Sequence, residues 1–328
     1  MTPSRRFVLL LLTLGMVAGT ALFVGRYPRP VWLPPQALRE DPLAAQLVWN
    51  LRLPRLIAAL LLGAALSASG FTLQMLFRNP LVEPGFLGVS QGAAFGAALS
   101  ILYISRSALG IQTAAMLCAL AGLALTHFLA RRLRYSGWIL RMVLAGIAVS
   151  ALFSAGIGML KYLADPLTQL PEITFWLLGG LWSTRWQNLL LILPLTLVSL
   201  TVLFLARWRL NVLALEEETA FSLGAAPGRE RLVLLLASVG ATSAVVSLAG
   251  TVGWVGLVVP HIARQFFGAN ARHALPSSLL LGGLFVLICD TLARTLSSGE
   301  IPLGILTSLF GAAGFLLLMV RRKIEVER

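Results

Sequence analysis

Few residues in this chain have the types and spacing that enzyme chemistry requires. The three histidines, His127, His261 and His273, form no H-E-x-x-H motif or comparable metal-binding pattern. The two cysteines, Cys118 and Cys289, both lie in apolar runs, and we interpret them as small buried hydrophobic residues. We therefore predict no catalytic residue, no metal site and no bound cofactor.

A phosphate-binding loop is also missing. The motif G-x-x-x-x-G-K-[ST] requires a Gly-Lys pair, and the only lysines, Lys161 and Lys323, follow Leu160 and Arg322. We therefore predict that the chain alone neither binds nor hydrolyses ATP.

The composition is that of a helical membrane protein. Of the 328 residues, 58% are hydrophobic and 12% are charged, whereas soluble domains average about 25% charged residues. Several charge-free runs reach about 20 residues, the length at which a helix crosses a bilayer, and a helix satisfies its own backbone polar groups in lipid. We predict an all-α polytopic fold that forms one transmembrane domain over 1–328. The runs are 7–25, 56–77, 84–105, 107–130, 142–160, 186–206, 232–263, 273–289 and 301–320.

The run 232–263 decides the number of spans. It is too long for one helix and short for two, and Gly250, Gly253, Gly256 and Pro260 can break it. Two helices through it give ten spans and place 17 of the 26 Lys and Arg residues on the side of the N-terminus. One helix gives nine spans and places only 12 of these residues on that side. The positive-inside rule therefore favours ten spans with both termini cytoplasmic. The first run could pass for a signal peptide, but it is long enough to span and no clean A-x-A site follows, so we interpret it as an uncleaved helix.

A weak internal similarity links the two halves. The pattern S-x-x-G occurs at 67–70 and again at 247–250, and in both places a proline follows ten residues after the glycine. With five spans per half, the halves could be inverted repeats, a plan found in transporters. Chance agreement between small residues is the alternative.

Charge on the outer side departs from the positive-inside pattern. In the ten-span topology the loop 26–55 is outside, and either ordinary scatter or a basic surface for an acidic partner explains its arginines. Asp290 lies four residues before Arg294 at the outer end of the ninth span, as an i,i+4 ion pair or as a functional charge within a span. The arginines of the loop are Arg26, Arg29, Arg39, Arg52 and Arg55.

Acidic charge is concentrated in one segment, 215-LEEETAFSLGAAPGRER-231, which contains Glu216, Glu217 and Glu218. One interpretation is a solvated loop, and the other is a surface that contacts a partner. The arginines of the chain are scattered over short loops, so we expect contact with membrane lipid headgroups and not with nucleic acid.

If the protein moves a solute uphill, its energy comes from an ion gradient or from a separate ATPase. Ion-coupled carriers usually have carboxylates or broken helices at mid-membrane depth, and carboxylates at that depth are missing from the sequence. This favours a separate ATPase over a stand-alone ion-coupled secondary transporter. A membrane-embedded enzyme is the third alternative, and the missing catalytic site disfavours it.

Three stretches resemble the FecCD family, the permease subunits of ABC importers for ferric siderophores, haem and vitamin B12. They are 78-RNPLVEPGFLGVSQGAAFGA-97, 250-GTVGWVGLVVPHIAR-264 and 299-GEIPLGILTSLFGAAGFLLLM-319. The resemblance implies a type II importer of an iron chelate in the bacterial inner membrane, with ten spans as in the vitamin B12 importer permease. It also implies three kinds of partner: a second permease copy as a homodimer, two copies of an ATP-binding subunit, and a periplasmic or lipoprotein substrate-binding protein.

The resemblance also assigns residues. Arg52 and Arg55 of 51-LRLPR-55 and Arg294 of 290-DTLAR-294 match arginines that dock the binding protein, where rim charges chiefly set encounter rate and register. A short helix at about 171–186 is expected at the outer mouth, with Trp176, Trp182 and Trp186 at the interface.

The segment 207–230 is implied to be a cytoplasmic coupling segment that inserts into the ATPase. We expect Asn211 to cap its helix, Gly224 to end it in a left-handed turn, and Pro227-Gly228 to form the next bend. Acidic residues near the helix start suit the macrodipole, and apolar residues near the tip contact the ATPase. The residues assigned to coupling are Glu216, Glu217, Glu218, Phe221, Leu223 and Gly224.

Overall fold

The computed structural model describes residues 3–25, 31–135, 137–297 and 299–321. Within these ranges the chain is almost entirely helical, which confirms the predicted all-α class. The α-helices are α1 (Pro3–Phe23), α2 (Ala37–Glu40), α3 (Pro42–Leu47), α4 (Leu53–Leu76), α5 (Val89–Leu99), α6 (Ala108–Arg132), α7 (Trp138–Leu163), α8 (Gln169–Leu178), α9 (Trp186–Leu205), α10 (Arg209–Leu213), α11 (Glu217–Ser222), α12 (Pro227–Ala249), α13 (Val255–Phe267), α14 (Ala271–Ala293) and α15 (Leu303–Arg321).

Short irregular elements connect some of these helices. A π-helical turn, Val48–Arg52, joins α3 to α4, and a second, Ser100–Ile104, extends α5. A 3₁₀ turn, Pro84–Leu87, precedes α5. Two strands of two residues each, β1 (Val24–Gly25) and β2 (Val31–Trp32), pair antiparallel just after α1. Arg26 and Arg29 lie outside the described residues, as does the C-terminal end of the chain.

The ten predicted spans correspond to helices of two lengths. Eight helical segments of the described chain are long and apolar enough to cross a membrane. The other two, Val89–Ile104 and α13, are shorter; at 1.5 Å per residue, α13 is only about 20 Å long. The eight long segments are Arg5–Phe23, Pro42–Leu76, Ala108–Arg132, Trp138–Leu163, Trp186–Leu205, Pro227–Ala249, Ala271–Ala293 and Leu303–Val320.

The predicted break within 232–263 is confirmed. Helix α12 ends at Ala249, Gly250 adopts a positive φ of 71°, and α13 begins after Trp254, which also has a positive φ. Pro260, however, does not interrupt the helix as expected but lies inside α13. A proline leaves the carbonyl four residues earlier without its helical donor, and here Gln74 Nε2 donates to that carbonyl, Gly256 O, at 3.1 Å.

Helices α4 and α14 pack antiparallel through small residues. Gly63 lies against Gly282, and a Cβ added to either glycine would overlap the other's carbonyl oxygen. Four residues further along α4, and four back along α14, Ser67 Oγ donates to Ser278 O at 2.8 Å. Small residues let membrane helices approach this closely, and the close packing fixes the register of the two helices.

Helix α12 is the most enclosed of the long spans, with 83% of its most apolar window buried. Ser69 Oγ of α4 donates to Ser238 O of α12 at 2.9 Å. The two S-x-x-G patterns lie in different settings, because Gly70 is inside α4 whereas Gly250 ends α12. The inverted repeat therefore stays a prediction.

The short helix expected at 171–186 is α8, and it ends eight residues earlier than expected. Gly179 adopts a positive φ of 70° directly after Leu178, and Gly179 is also where α8 meets the α12–α13 break, since an added Cβ would overlap Thr251 O. Trp176 is in α8, Trp182 is in the following turn, and Trp186 begins α9, where its Nε1 donates to Trp49 O at 2.9 Å.

Candidate functional site

The three arginines assigned to docking lie together at one end of the α4–α14 pair. Arg52, Arg55 and Arg294 line one cavity of about 340 Å³, together with Glu300. Arg55 Nε donates to Asp290 Oδ1 at 2.9 Å, and Arg55 Nη1 donates to Glu300 Oε1 at 2.8 Å. These residues, which we call the outer charge cluster, join the start of α4, the end of α14 and the segment before α15.

The expectation that these arginines are exposed rim charges is corrected. The side chains of Arg55 and Arg294 are each 12% exposed, and Arg52 is 8% exposed. The physical reason is Asp290, which is 1% exposed. A buried carboxylate is costly without cations around it, so Arg55 and Arg294 turn inward towards Asp290. Arg52 is buried against the end of α1, where it donates to Leu22 O. Their role in docking stays a prediction.

Two of the arginines also hold the end of α1. Arg52 Nη1 donates to Leu22 O at 3.1 Å, and Arg294 Nη2 donates to Ala21 O. The last four carbonyls of a helix have no partner within it, and cationic side chains at that end also suit the macrodipole. The outer charge cluster therefore fastens α1 to α4 and α14.

The i,i+4 ion pair between Asp290 and Arg294 is present but is the weaker contact of Asp290. Arg294 Nε lies 3.7 Å from Asp290 Oδ2, compared with 2.9 Å for the contact between helices made by Arg55. Sequence reasoning missed both the Arg55–Asp290 pair and the role of Glu300. The only available indication was that Glu300 lies in the quoted motif before the last span.

The coupling segment begins differently from the prediction. One helix starting at Asn211 was the expectation, but the structure has two short helices, α10 and α11, and Asn211 lies inside α10. Asn211 does not cap its own helix because its amide is used elsewhere. Its Oδ1 accepts from Ala271 N at 2.9 Å, and its Nδ2 donates to Asn270 Oδ1 at 3.0 Å. Asn211 therefore ties the coupling segment to the start of α14.

The second half of the coupling segment agrees with the prediction. Glu217 and Glu218 occupy the first turn of α11, where carboxylates suit the helix dipole. Gly224 has a φ of 75° and donates to Phe221 O at 2.9 Å, and Ala225 N donates to Ala220 O at 3.0 Å. These two bonds form a Schellman motif, which is the usual way a left-handed glycine ends a helix. Pro227 then begins α12.

The tip of α11 exposes apolar surface. Phe221 is 73% exposed and Leu223 is 58% exposed, although both are large hydrophobic residues. The three glutamates, in contrast, are not all free in water as expected, because Glu217 Oε2 accepts from Arg231 Nη1 of α12 at 2.9 Å. Exposed apolar side chains at a helix end are a suitable contact surface for another protein.

Helix α14 connects the two regions. Its first residue, Ala271, is bonded to Asn211 of the coupling segment, and Asp290 near its end belongs to the outer charge cluster. The helical rise from position 271 to position 290 is about 29 Å, which is close to the thickness of the hydrocarbon core of a bilayer. The two candidate contact surfaces therefore lie at opposite ends of one helix.

A third group of contacts, which sequence reasoning missed, holds α13. Glu83 Oε1 accepts from Trp254 N at 2.8 Å, and His261 Nε2 lies 3.0 Å from Pro80 O. Burial raises the pKa of the Glu83 carboxyl group, and the hydrogen bond from Trp254 N partly offsets this shift. Glu83 and Trp254 lie in the first two motifs quoted above, which are therefore the two sides of one contact.

Known transport proteins resemble this chain over most of its length. The model of the FecCD transport family matches residues 9–321. The molybdate import system permease protein MolB of Haemophilus influenzae is 38% identical, covering 98% of this chain and 96% of its own length. A probable iron chelatin transport system permease protein of Helicobacter pylori is 41% identical, covering 84% of this chain and 83% of its own. The hemin transport system permease protein HmuU of Yersinia pestis is 39% identical, with 84% of each chain covered.

Solved structures share the fold. One is described as an inward-facing conformation of a metal-chelate type ABC transporter; it has a TM-score of 0.89, is 37% identical, and covers 98% of this chain and 100% of its own. A second, PsaBC from Streptococcus pneumoniae in complex with Fab, has a TM-score of 0.55 at 14% identity, with 86% of this chain and 92% of that chain covered. At that identity the second structure supports the fold alone.

Proposed function

Because the chain belongs to the FecCD transport family and is a permease subunit of an ABC importer, we propose that it carries an iron chelate across the bacterial inner membrane. The candidate substrates are two iron chelates, a ferric siderophore and haem, with the cobalt chelate cobalamin as the alternative. The relatives named for iron chelatin and hemin transport support this choice. The comparisons favour an ATP-driven importer over a stand-alone ion-coupled carrier.

The observation that carries the proposed assembly is the position of the two contact surfaces at opposite ends of α14. On this proposal, two ATP-binding subunits contact α11 through Phe221 and Leu223, and a periplasmic or lipoprotein substrate-binding protein docks over the outer charge cluster. A second copy of the chain completes the pathway as a homodimer, and both termini are cytoplasmic. The exposed apolar tip of α11 and the cavity lined by the outer charge cluster support these contacts.

Molybdate is a second candidate substrate. The Haemophilus influenzae relative named for molybdate import matches nearly the whole length of both chains. Molybdate is a small oxyanion, so it differs in size and charge from a ferric siderophore, haem or cobalamin. A substrate assay therefore separates the two candidates clearly.

The substrate test uses the complete importer. The permease, its ATPase and its binding protein are reconstituted in proteoliposomes, and uptake is measured with a ferric siderophore, haem, cobalamin and molybdate. We expect ATP-dependent uptake of one of the three chelates. Uptake of molybdate alone would overturn the chelate proposal. ATP hydrolysis by the purified permease without its ATPase would overturn the proposal that a separate subunit hydrolyses ATP.

The docking test compares two arginines of the same outer region. Arg52→Gln removes a charge from the outer charge cluster, whereas Arg39→Gln removes an exposed charge in α2 that does not line the cavity. We expect Arg52→Gln to weaken binding-protein docking and Arg39→Gln to leave it unchanged, with folding of both confirmed by thermal unfolding. Equal docking of both variants at low salt would contradict the assignment. Arg55→Glu is unsuitable, because the new carboxylate would face Asp290 and Glu300.

The topology test places a single reactive cysteine after residue 328. Labelling of this cysteine from the cytoplasmic side would support ten spans, and labelling from the outside would support nine spans.

A further inference from the structure

A separate cavity of about 440 Å³ opens at the end of the bundle that carries α11. Its walls come from the last turns of α6, the first turn of α7, α11 and the start of α12. This cavity, which we call the basic pocket, lies beside the coupling segment and is not one of the two contact surfaces proposed above. Its polar and aromatic lining residues are His127, Arg131, Trp138, Arg141, Glu217 and Arg231.

The basic pocket contains more positive than negative charge. Three arginines face it, and Glu217 is the one carboxylate in its lining. Glu217 is paired with Arg231 at 2.9 Å. Among the residues that the structure describes, no ion pair joins Arg131 or Arg141 to a carboxylate. The pocket is therefore suited to an anionic ligand.

Two of the arginines have buried donors without acceptors. The Nε atoms of Arg141 and Arg231 are buried and have no hydrogen-bond partner. Arg231 as a whole is 6% exposed, and its guanidinium carbon lies 5.1 Å from the centre of the Trp138 ring, which holds the group in place. Buried donors are normally satisfied. Because these two Nε atoms are closed to solvent, a ligand in the pocket would be met by the other N–H groups of the same guanidinium groups, and the charge of Arg141 is not neutralised by an ion pair among the described residues.

We propose that the basic pocket binds the phosphate group of an anionic membrane phospholipid. Guanidinium groups bind phosphate oxygens through paired hydrogen bonds, and three of them converge here. A free phosphate ion has the same oxygens, but the pocket wall also includes Met142, Leu232 and Leu235. Leu232 is 38% exposed and provides apolar surface for the lipid's acyl chains.

The location supports a lipid as the source of the phosphate. The pocket is formed where α6 ends and where α7 and α12 begin, at the boundary between apolar helices and polar loops. Basic pockets at such positions bind headgroups of anionic lipids. Because Arg231 also holds Glu217 of α11, a bound phosphate would lie next to the ion pair that anchors the coupling segment.

The test measures lipid binding to the purified full chain by native mass spectrometry. Phosphatidylglycerol, phosphatidylcholine and inorganic phosphate are titrated separately against the wild type and three variants. Arg131→Gln and Arg141→Gln each remove a charge from the pocket. Arg132→Gln is the matched control, because Arg132 follows Arg131 in α6 and is likewise exposed, but lies over Phe128 at 5.3 Å and does not line the pocket.

We expect the wild type and Arg132→Gln to bind phosphatidylglycerol more tightly than phosphatidylcholine. Arg131→Gln and Arg141→Gln should each weaken phosphatidylglycerol binding by about tenfold or more, as expected for loss of a hydrogen bond to a charged group. Since Arg131 is exposed, its variant is expected to fold even if Arg141→Gln does not.

Three results would overturn the proposal. Equal affinity for the two lipids would show that the headgroup is not recognised. Binding of inorganic phosphate with the expected dependence on Arg131, without a preference for phosphatidylglycerol, would identify a free anion as the ligand. Arg131→Gln behaving like Arg132→Gln would show that lipid binds elsewhere. Because binding is read without transport, failure here leaves the proposed function untouched.

Discussion

Asp290 and Glu300 accept from the same arginine, and this permits a matched test of what burial contributes at the outer charge cluster. Arg55 donates to Asp290 at 2.9 Å and to Glu300 at 2.8 Å, so the two contacts are nearly equal in length. The side chain of Asp290 is 2% exposed, whereas that of Glu300 is 40% exposed. We expect Asp290→Asn to destabilise the chain much more than Glu300→Gln.

The expected magnitudes follow from the two environments. Removing one partner of a buried ion pair costs about 3–5 kcal/mol, because the remaining charge is left uncompensated. An asparagine oxygen still accepts one hydrogen bond and Glu300 still compensates Arg55, so the lower end, about 3 kcal/mol, applies to Asp290→Asn. An exposed pair is worth about 0.2–1 kcal/mol, and this range applies to Glu300→Gln.

The assay is thermal unfolding of the purified chain in detergent. For domains of about 150–250 residues, about 1 kcal/mol corresponds to a shift of about 2–4 °C, and larger chains shift less. For this chain of 328 residues, Asp290→Asn should therefore lower the Tm by up to roughly 12 °C and Glu300→Gln by less than about 4 °C. Equal shifts would refute the reasoning, since burial is the main difference between the two contacts. A larger shift for Glu300→Gln would show that the exposed carboxylate is the principal partner of Arg55.

Three further predictions concern the other regions. Phe221→Ala should uncouple transport or detach the ATPase more severely than Glu217→Gln, because burying a phenylalanine contributes about 1.5–3 kcal/mol, whereas the Glu217 side chain is 67% exposed and an ion pair made by an exposed carboxylate is worth about 0.2–1 kcal/mol. The measurements are uptake and pull-down of the ATPase, and a Phe221→Ala variant that transports beside a Glu217→Gln variant that does not would contradict this. Gly63→Ala should lower stability by about 1–3 kcal/mol, because the added methyl overlaps α14, whereas Gly158→Ala, where an added Cβ meets nothing within 4 Å, should be neutral or mildly stabilising in thermal unfolding. Burial raises the pKa of Glu83, which favours the protonated form in the folded chain; stability should therefore fall as pH rises above a carboxyl group's usual range, and Glu83→Gln should flatten this profile of Tm against pH.

Local sequence patterns predicted the elements whose causes are local. The end of α11 follows from Gly224, and the α12–α13 break follows from the glycine at position 250, since both residues adopt the left-handed backbone that glycine favours. The span positions follow from charge-free runs. The left-handed Trp254 at the start of α13 was not predictable in this way, because Glu83, which accepts from its N–H, is 171 residues away.

The arrangement of the outer charge cluster could not be predicted from local sequence either, because its residues are far apart in the chain. The resemblance selected Arg52, Arg55 and Arg294, but the burial of Arg55 depends on Asp290, which is 235 residues away in the chain. At Asn211 a local preference was predicted, but a contact with another helix overrides it. Its local preference for a helix cap was correct chemistry, yet its side chain caps nothing in its own helix because Ala271 N, on another helix, takes its oxygen.

The shortness of α13 has a consequence for how the chain is assembled during synthesis. A helix of about 20 Å that carries His261 and Arg264 is a poor candidate for independent insertion, which favours about 20 apolar residues. The groups that hold α13, Gln74 and Glu83 among them, lie in the part of the chain made first. We therefore expect α13 to take its place only after the N-terminal residues that it contacts have entered the bilayer.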